Sequence, residues 1–231
     1  MRVWGLAATL GFAILAFGLG QAVGVAVLTA LKTIDPQRVN DDGTAVALVT
    51  LVAIPVQVVT LVLAARMTGA GVLDYFGLRL PRWRDAAIAI AVLAAVVAVG
   101  DIAVVALGHD LVPASQMEMF RSAQTDGTLP LLLLALVVVG PAGEELLFRG
   151  FLFRGLVHEP RDALPGILAI ALIWSLLHVQ YDWLGAGLVF ALGIMFGYVR
   201  LYSGSTVLVM VLHMLLNLES LGETVAAMGG I

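Results

Sequence analysis

The sequence predicts an all-α fold, a polytopic bundle of transmembrane helices with short interfacial helices between them. Apolar residues make up 61% of the chain and charged residues only 12%, a composition far outside the range of soluble globular proteins. The apolar residues form long runs, and a run of about 20 residues crosses a bilayer as a helix. The chain has no cysteine, which excludes disulfides, thiolate metal sites and a cysteine nucleophile.

Seven apolar segments follow one another along the chain, and each is predicted to span the membrane. They cover roughly residues 3–31, 45–66, 85–107, 129–157, 163–180, 183–201 and 205–218. The first is too long for the apolar core of a signal peptide, so we interpret it as an uncleaved helix. The tail 219–231 is polar, and an eighth span there is kept as an alternative. Because the loops are short, residues 1–231 are predicted to form one membrane-embedded domain.

The basic residues predict the orientation of the chain in the membrane. With a cytoplasmic N-terminus, the inside group is Arg2, Arg66, Arg79, Arg82, Arg84, Arg149, Arg154, Arg161 and Arg200, and the outside group is Lys32, Arg38 and Arg121. This bias follows the positive-inside rule. Arginine outnumbers lysine strongly, which points to a bacterial genome and therefore a bacterial cell membrane. The loops 69–85 and 108–128 mix apolar with polar residues and are interpreted as interfacial segments.

One segment departs from the apolar pattern. Residues Leu129–Leu156 begin as a purely apolar run and then place Glu144, Glu145 and Arg149 in the same predicted helix. A carboxylate near the centre of a bilayer costs about 3 kcal/mol or more, so such residues are functional by default. Arg149 follows Glu145 by one helical turn, and the two are predicted to pair. Glu144 lies about 100° further around the helix and is left to face a different neighbour.

Polar residues also lie at membrane depth in two later spans. His178 ends the fifth segment, while His213 and Asn217 share one face of the seventh. Counted from the inner ends of their spans, Glu144, His178 and His213 lie at roughly 20, 22 and 12 Å, and helix tilt can bring them to similar levels. With Glu145, Arg149 and Asn217, these residues are predicted to surround one water-filled pocket. Taken singly, each has a plainer interpretation, because a lone histidine or asparagine in a span often only bonds a neighbouring helix. The glutamate pair with its arginine could equally serve an ion or proton relay.

Other polar and aromatic residues in the spans receive structural interpretations. Gln21 and Gln57 are expected to bond neighbouring helices. Asp101 is expected to lie toward the outer mouth of the bundle or to bond a neighbouring helix. Trp83, Tyr181 and Trp183 are interpreted as anchors at the membrane interface.

Taken together, the motifs resemble the CAAX-type prenyl protease family, also called Abi or CPBP (CAAX proteases and bacteriocin-processing enzymes). The resemblance covers residues 129–218 and rests on Glu144-Glu145-x-x-x-Arg149, Trp174-x-x-x-His178 and His213-x-x-x-Asn217. The family usually has Phe at the position of Trp174. Because an aromatic is kept, the pocket wall is expected to change in shape more than in chemistry. The resemblance implies an intramembrane endopeptidase, with Glu144, Glu145, Arg149, His178, His213 and Asn217 as its candidate site.

The chemistry of these residues is compatible with peptide hydrolysis, which needs a base, an oxyanion donor and an acid. A water activated by Glu144 and His178 fits, with His213 and Asn217 donating to the oxyanion or joining a metal. Two histidines and a glutamate also suffice for catalytic zinc. A metalloprotease with Glu144, His178 and His213 as ligands and a metal-free glutamate mechanism therefore both stay open.

A function of another class competes with proteolysis. A non-catalytic polytopic protein, such as an immunity or scaffold factor or a proton-coupled transporter, could use the same pocket for binding. Transporters typically contain internal repeats, and the two halves of this sequence show none. The expected partners are the lipid bilayer and a membrane-anchored protein or peptide substrate, with a bacteriocin-like precursor favoured over a prenylated protein. No nucleic-acid partner is expected.

Overall fold

The computed structural model describes residues 3–31 and 42–229, and within these ranges the chain forms helices and no strand. The predicted all-helical fold is confirmed. The helices are α1 (Leu6–Leu31), α2 (Gly43–Met67), α3 (Val72–Phe76), α4 (Trp83–Ala106), α5 (Ala114–Thr125), α6 (Leu129–Leu156), α7 (Ala163–Leu176), α8 (Trp183–Ser203) and α9 (Thr206–Ala227). A single 3-10 turn, Pro160–Asp162, precedes α7.

In the described part of the chain, six helices are long and apolar enough to cross a membrane, namely α1, α2, α4, α6, α8 and α9. The segment expected as the fifth of seven spans forms α7, which has only 14 residues. At a rise of 1.5 Å per residue it is about 21 Å long, shorter than the ~30 Å of a hydrocarbon core. The last helix is longer than expected, because α9 runs on to Ala227. The polar tail is therefore largely the end of α9, since glutamates are good helix formers.

Contacts between loops define two ends of the bundle. At the first end, Gly77 accepts a hydrogen bond from the backbone N–H of Thr206 at 2.9 Å, and Arg200 donates to the carbonyl of Arg149 at 3.0 Å. The loop with Arg79, Arg82 and Arg84 therefore lies at the same end as the C-terminal part of α6, as the charge pattern requires. Which end is cytoplasmic stays a prediction. Arg2, Lys32 and Arg38, which entered that pattern, lie outside the described residues.

At the second end, the imidazole of His109, just beyond α4, lies 3.0 Å from the carboxylate of Asp182, just before α8. The Thr44 hydroxyl, at the start of α2, donates to Asp126 at 3.0 Å. The segment 163–182 thus passes from the first end to the second although α7 itself is short. The loop 177–182 completes the crossing, and this loop carries His178.

Helices α1 and α2 pack against each other at very short distance. A Cβ added at Gly20 of α1 would lie 2.6 Å from the carbonyl oxygen of Ala53 in α2. Small residues permit this kind of backbone approach between membrane helices. The pair is also joined where the Trp4 indole donates to the carbonyl of Ala64 at 3.0 Å. The close approach brings Gln21 and Gln57 to the same side of the pair, facing α6.

The two interfacial segments expected from the sequence both contain helices. Helix α3 is only five residues long, and its Tyr75 and Phe76 are buried against Phe151 of α6, with ring centroids 5.6 and 6.3 Å away. Its aromatic residues therefore belong to the core of the bundle. Helix α5 lies across the second end, where Gln116 donates to the hydroxyl of Thr224 in α9 at 2.7 Å.

Candidate active site

The central helix α6 changes its hydrogen-bonding pattern around the two glutamates. π-Helical stretches at Leu134–Val139 and Leu146–Leu152 flank the α-helical turn Gly140–Glu145. Such stretches are rare and are frequently found at functional sites. Pro141 has no N–H to offer the preceding turn, and the carbonyl of Leu136 instead accepts a hydrogen bond from the Asn217 amide at 2.7 Å. This bond satisfies the carbonyl and joins α9 to α6.

Glu145 points away from the cavity and into a fully buried charge cluster. Its Oε1 accepts from Arg149 Nη1 at 2.9 Å, and both side chains are 0% exposed, so the predicted pair is confirmed. The same oxygen lies 3.0 Å from Nδ1 of His213. Arg149 also donates to the carbonyl of Gly193 at 3.2 Å, and its guanidinium carbon lies 4.7 Å from the Trp174 ring centroid. The positive charge is thus matched by one carboxylate and several π faces.

Glu144 faces a different side of α6 and lines a cavity of about 230 Å³. Its Oε2 accepts a hydrogen bond from the Trp174 indole N–H at 2.8 Å. The cavity lies between α1, α2, α6, α7 and α9. Its polar lining residues are Gln21, Thr50, Gln57, Glu144, Trp174, His178, Gln180 and Asn217.

The ring of His178 is held in one orientation beside Glu144. Its Nδ1 lies 2.8 Å from the backbone carbonyl of Trp174, and since a carbonyl only accepts, Nδ1 carries the proton. In the neutral ring, Nε2 is then the basic nitrogen. Tyr181 stacks on this ring, with centroids 6.1 Å apart and planes 8° apart.

The structure brings most of the predicted residues together, although not all in the expected way. Glu144, His178 and Asn217 line one cavity. His213 lies behind the Trp174 ring, edge-on at 5.3 Å, where it binds Glu145 instead of lining the cavity. Its Nδ1 is engaged by a carboxylate, so its other nitrogen is the basic one in the neutral ring.

Two aromatic residues of the site were not identified as functional from the sequence. Trp174 differs from Phe in chemistry as well as shape, because its N–H reaches Glu144. The available signal in the sequence was the departure from the family pattern, because tryptophan carries an N–H donor and phenylalanine does not. Tyr181 packs against the core, whereas Trp83 and Trp183 are 74% and 75% exposed, as expected of interface anchors. The proximity of Tyr181 to His178 in sequence was the available signal.

Gln57 and Asp101 follow their interpretations more closely, whereas Gln21 lines the cavity and its expected bond to a neighbouring helix stays a prediction. Gln57 bonds a neighbouring helix, donating to the carbonyl of Gly143 at 3.0 Å. Asp101 lies beside Glu219 and Glu223 of α9, near the second end of the bundle. Within the described residues, this is the one group of three or more His, Asp or Glu side chains whose ligand atoms lie within 4.8 Å of one another.

The alternative metal set, Glu144, His178 and His213, does not meet that distance in the described structure. His213 is turned toward Glu145, and Glu144 toward Trp174. A catalytic zinc ion needs its protein ligands at about 2 Å from one centre. In this arrangement the three side chains do not fit a shared metal ion.

The fold and the cavity together define a polytopic membrane protein with a polar site enclosed by its helices. Residues 126–218 match the family model described as Type II CAAX prenyl endopeptidase Rce1-like, which confirms the resemblance to the CAAX protease family drawn from the three motifs. The match includes all six candidate residues and supports a CAAX-type intramembrane endopeptidase in general. No curated protein and no solved structure matches the chain.

Proposed function

We propose that this protein is an intramembrane endopeptidase that hydrolyses a peptide bond of a membrane-associated protein or peptide, using a water activated by Glu144 and His178. One observation carries the proposal: Glu144, His178 and Asn217 line the same cavity of about 230 Å³. A carboxylate, an imidazole and an amide are suited to amide hydrolysis, serving respectively as general base, as hydrogen-bond acceptor that orients the water, and as oxyanion donor.

In the proposed reaction Glu144 is the general base. Trp174 occupies its Oε2, which leaves Oε1 to take a proton from a water in the cavity. Nε2 of His178 accepts the other hydrogen of that water and orients it. The water oxygen bonds to the carbonyl carbon of the substrate, and the carbonyl oxygen becomes an oxyanion. Glu144 then passes its proton to the amide nitrogen as the carbon–nitrogen bond breaks.

Asn217 is the proposed oxyanion donor. An amide nitrogen has two N–H groups, and one of them already donates to the carbonyl of Leu136 at 2.7 Å. That bond fixes the amide plane, and the second N–H is available to the substrate oxygen. His213 has a different part in this scheme. Its contact with Glu145 makes it a support of the buried cluster. The second nitrogen of the neutral ring accepts hydrogen bonds, so it does not donate to an oxyanion.

We propose further that the whole chain works as one domain and takes its substrate from the membrane. Helices α1 and α2, outside the region matched by the family model, contribute Phe17, Gln21 and Gln57 to the cavity lining. A soluble peptide has no evident advantage at such a site, whereas a membrane-anchored peptide is already concentrated beside it. We favour an unprenylated anchored precursor, such as a bacteriocin-like peptide, over a prenylated protein.

A paired experiment tests this function. Membranes containing the wild-type protein or Glu144→Gln would be compared by proteomics for new peptide termini. The purified proteins would also be assayed on a quenched fluorescent peptide ending in farnesylated Cys-Val-Leu-Met and on the same peptide without the lipid. Cleavage that depends on Glu144 supports proteolysis, and the two peptides separate the substrate classes. Equal peptide termini in both membranes, with both purified proteins inactive, would favour the non-catalytic alternative.

The proposed orientation, with a cytoplasmic N-terminus, has its own test. Arg82→Cys and Arg121→Cys place single thiols on exposed positions at opposite ends of a cysteine-free chain. An impermeant thiol reagent added to intact cells should label position 121 and leave position 82 unlabelled until the membrane is opened. Labelling of position 82 from outside would reverse the assignment.

A further inference from the structure

Trp174 makes more contacts with the candidate site than an aromatic residue that only fills space in the pocket wall would make. It is 2% exposed. Its backbone carbonyl fixes His178 at 2.8 Å, its ring meets His213 edge-on at 5.3 Å, and the guanidinium of Arg149 lies 4.7 Å from its centroid. A phenylalanine could make each of these contacts, because they involve only the backbone and the ring face or edge.

The indole N–H is the one group that a phenylalanine lacks, and it donates to Oε2 of Glu144 at 2.8 Å. A carboxylate can rotate about its last two bonds and has two equivalent oxygens. A donor on one oxygen removes that freedom and leaves the other oxygen for the cavity. Hydrogen bonds to ionised groups are about twice as strong as neutral ones.

We propose that Trp174 is a positioning residue for the general base: its indole N–H holds the Glu144 carboxylate so that the free oxygen points at the hydrolytic water. This inference rests on the proposed function. It also assigns a chemical consequence to the departure from the family pattern at this position.

The test removes the N–H with as little change of shape as possible. Trp174→Phe deletes the donor but leaves space, so a second variant replaces Trp174 with 3-benzothienylalanine, in which sulphur takes the place of the N–H. Trp4→Phe is the matched control, because Trp4 also makes one indole hydrogen bond, to the carbonyl of Ala64 at 3.0 Å, far from the cavity. All variants would be assayed on the quenched peptide that the wild type cleaves.

Loss of a group that orients a metal ligand typically costs about tenfold to a hundredfold in activity, and the indole N–H orients a carboxylate in the same way. We expect kcat to fall by about that factor in both Trp174 variants, with KM changed less than about twofold. Trp4→Phe should keep the wild-type kcat. A packing role alone would lower kcat in Trp174→Phe and spare the benzothienyl variant.

The outcomes separate this inference from the function on which it rests. If Glu144→Gln is inactive but the benzothienyl variant keeps full kcat, the positioning role is wrong and the proteolytic function stands. If Glu144→Gln cleaves at the wild-type rate, the proposed function fails and the inference fails with it. A fall in kcat for the benzothienyl variant, with unchanged thermal stability, supports both.

Discussion

Two adjacent glutamates of α6, Glu144 and Glu145, lie in contrasting environments. On the cavity side, Glu144 has one oxygen bonded to Trp174 and its carboxyl group beside open space. On the packed side, Glu145 is 0% exposed and tied to Arg149 and to His213. The same residue type is thus available for chemistry on one side and fixed in structure on the other. A helical offset of about 100° is enough to separate the two roles.

The packed side is not fully satisfied by hydrogen bonds. In the described part of the chain, Oε2 of Glu145 and Nε of Arg149 are buried without a hydrogen-bond partner. Rings partly compensate, since Phe196 also lies 5.3 Å from the guanidinium. Such a cluster adds little net stability when intact, but it is costly to break, because one partner is left as an isolated charge.

The largest expected effect is on the cavity side. Glu144→Gln keeps the size and hydrogen-bonding capacity of the side chain but removes the base, and general-base catalysis contributes about 100-fold to 10,000-fold. The rate of cleavage should fall by at least about 100-fold, while the thermal unfolding midpoint in detergent stays close to that of the wild type. Full activity of this variant would remove Glu144 from the catalytic role, whatever the family match implies.

The second effect is on the packed side. Glu145→Gln leaves the buried guanidinium of Arg149 without its counter-charge, and breaking a buried pair costs about 3–5 kcal/mol. Unfolding in detergent should show this loss of stability, together with reduced activity. Arg149→Ala should behave similarly, and the double variant should be milder than the sum of the two single ones. Additive losses would show that the two side chains do not act as a pair.

Substitutions of the two histidines are expected to have smaller effects, one on stability and the other on kcat. His213→Gln removes a bond to a buried carboxylate, and hydrogen bonds to charged groups contribute about 1.5–3 kcal/mol. It should therefore lower stability by that amount. His178→Gln should lower kcat with little change in stability, because that ring is partly exposed to the cavity. The reverse pattern, measured by unfolding and cleavage side by side, would exchange the assignments of the two histidines.

The smallest expected effect concerns the contact between α2 and α6. Gln57→Leu removes a hydrogen bond of 3.0 Å to the carbonyl of Gly143, and such bonds inside membrane proteins contribute about 0.6 kcal/mol on average. A loss of stability near that value is expected. A loss as large as that of Glu145→Gln would mean that the cavity side also depends on a buried polar network.

Much of the fold could be predicted from the sequence because a bilayer imposes simple rules. Long apolar runs must be helices that cross it, and six of the seven predicted spans are helices of spanning length within the described residues. The exception is the segment 163–180, in which helix α7 ends at Leu176 and the loop 177–182 completes the crossing. An apolar composition alone does not reveal the residue at which a helix ends.

The sequence also determined contacts within one helix. The pairing of Glu145 with Arg149 follows from their spacing, since residues one turn apart on a helix are neighbours wherever that helix lies. That argument needs only the geometry of a single helix.

Only the tertiary structure decided which groups meet between helices. His213 bonds Glu145 across 68 positions, and Trp174 bonds Glu144 across 30. These contacts depend on the rotation of each helix about its axis and on the π-helical stretches of α6, which shift the direction in which every later side chain points. Rotation is set by the packing of all neighbouring helices at once, so no local pattern in the sequence carries it.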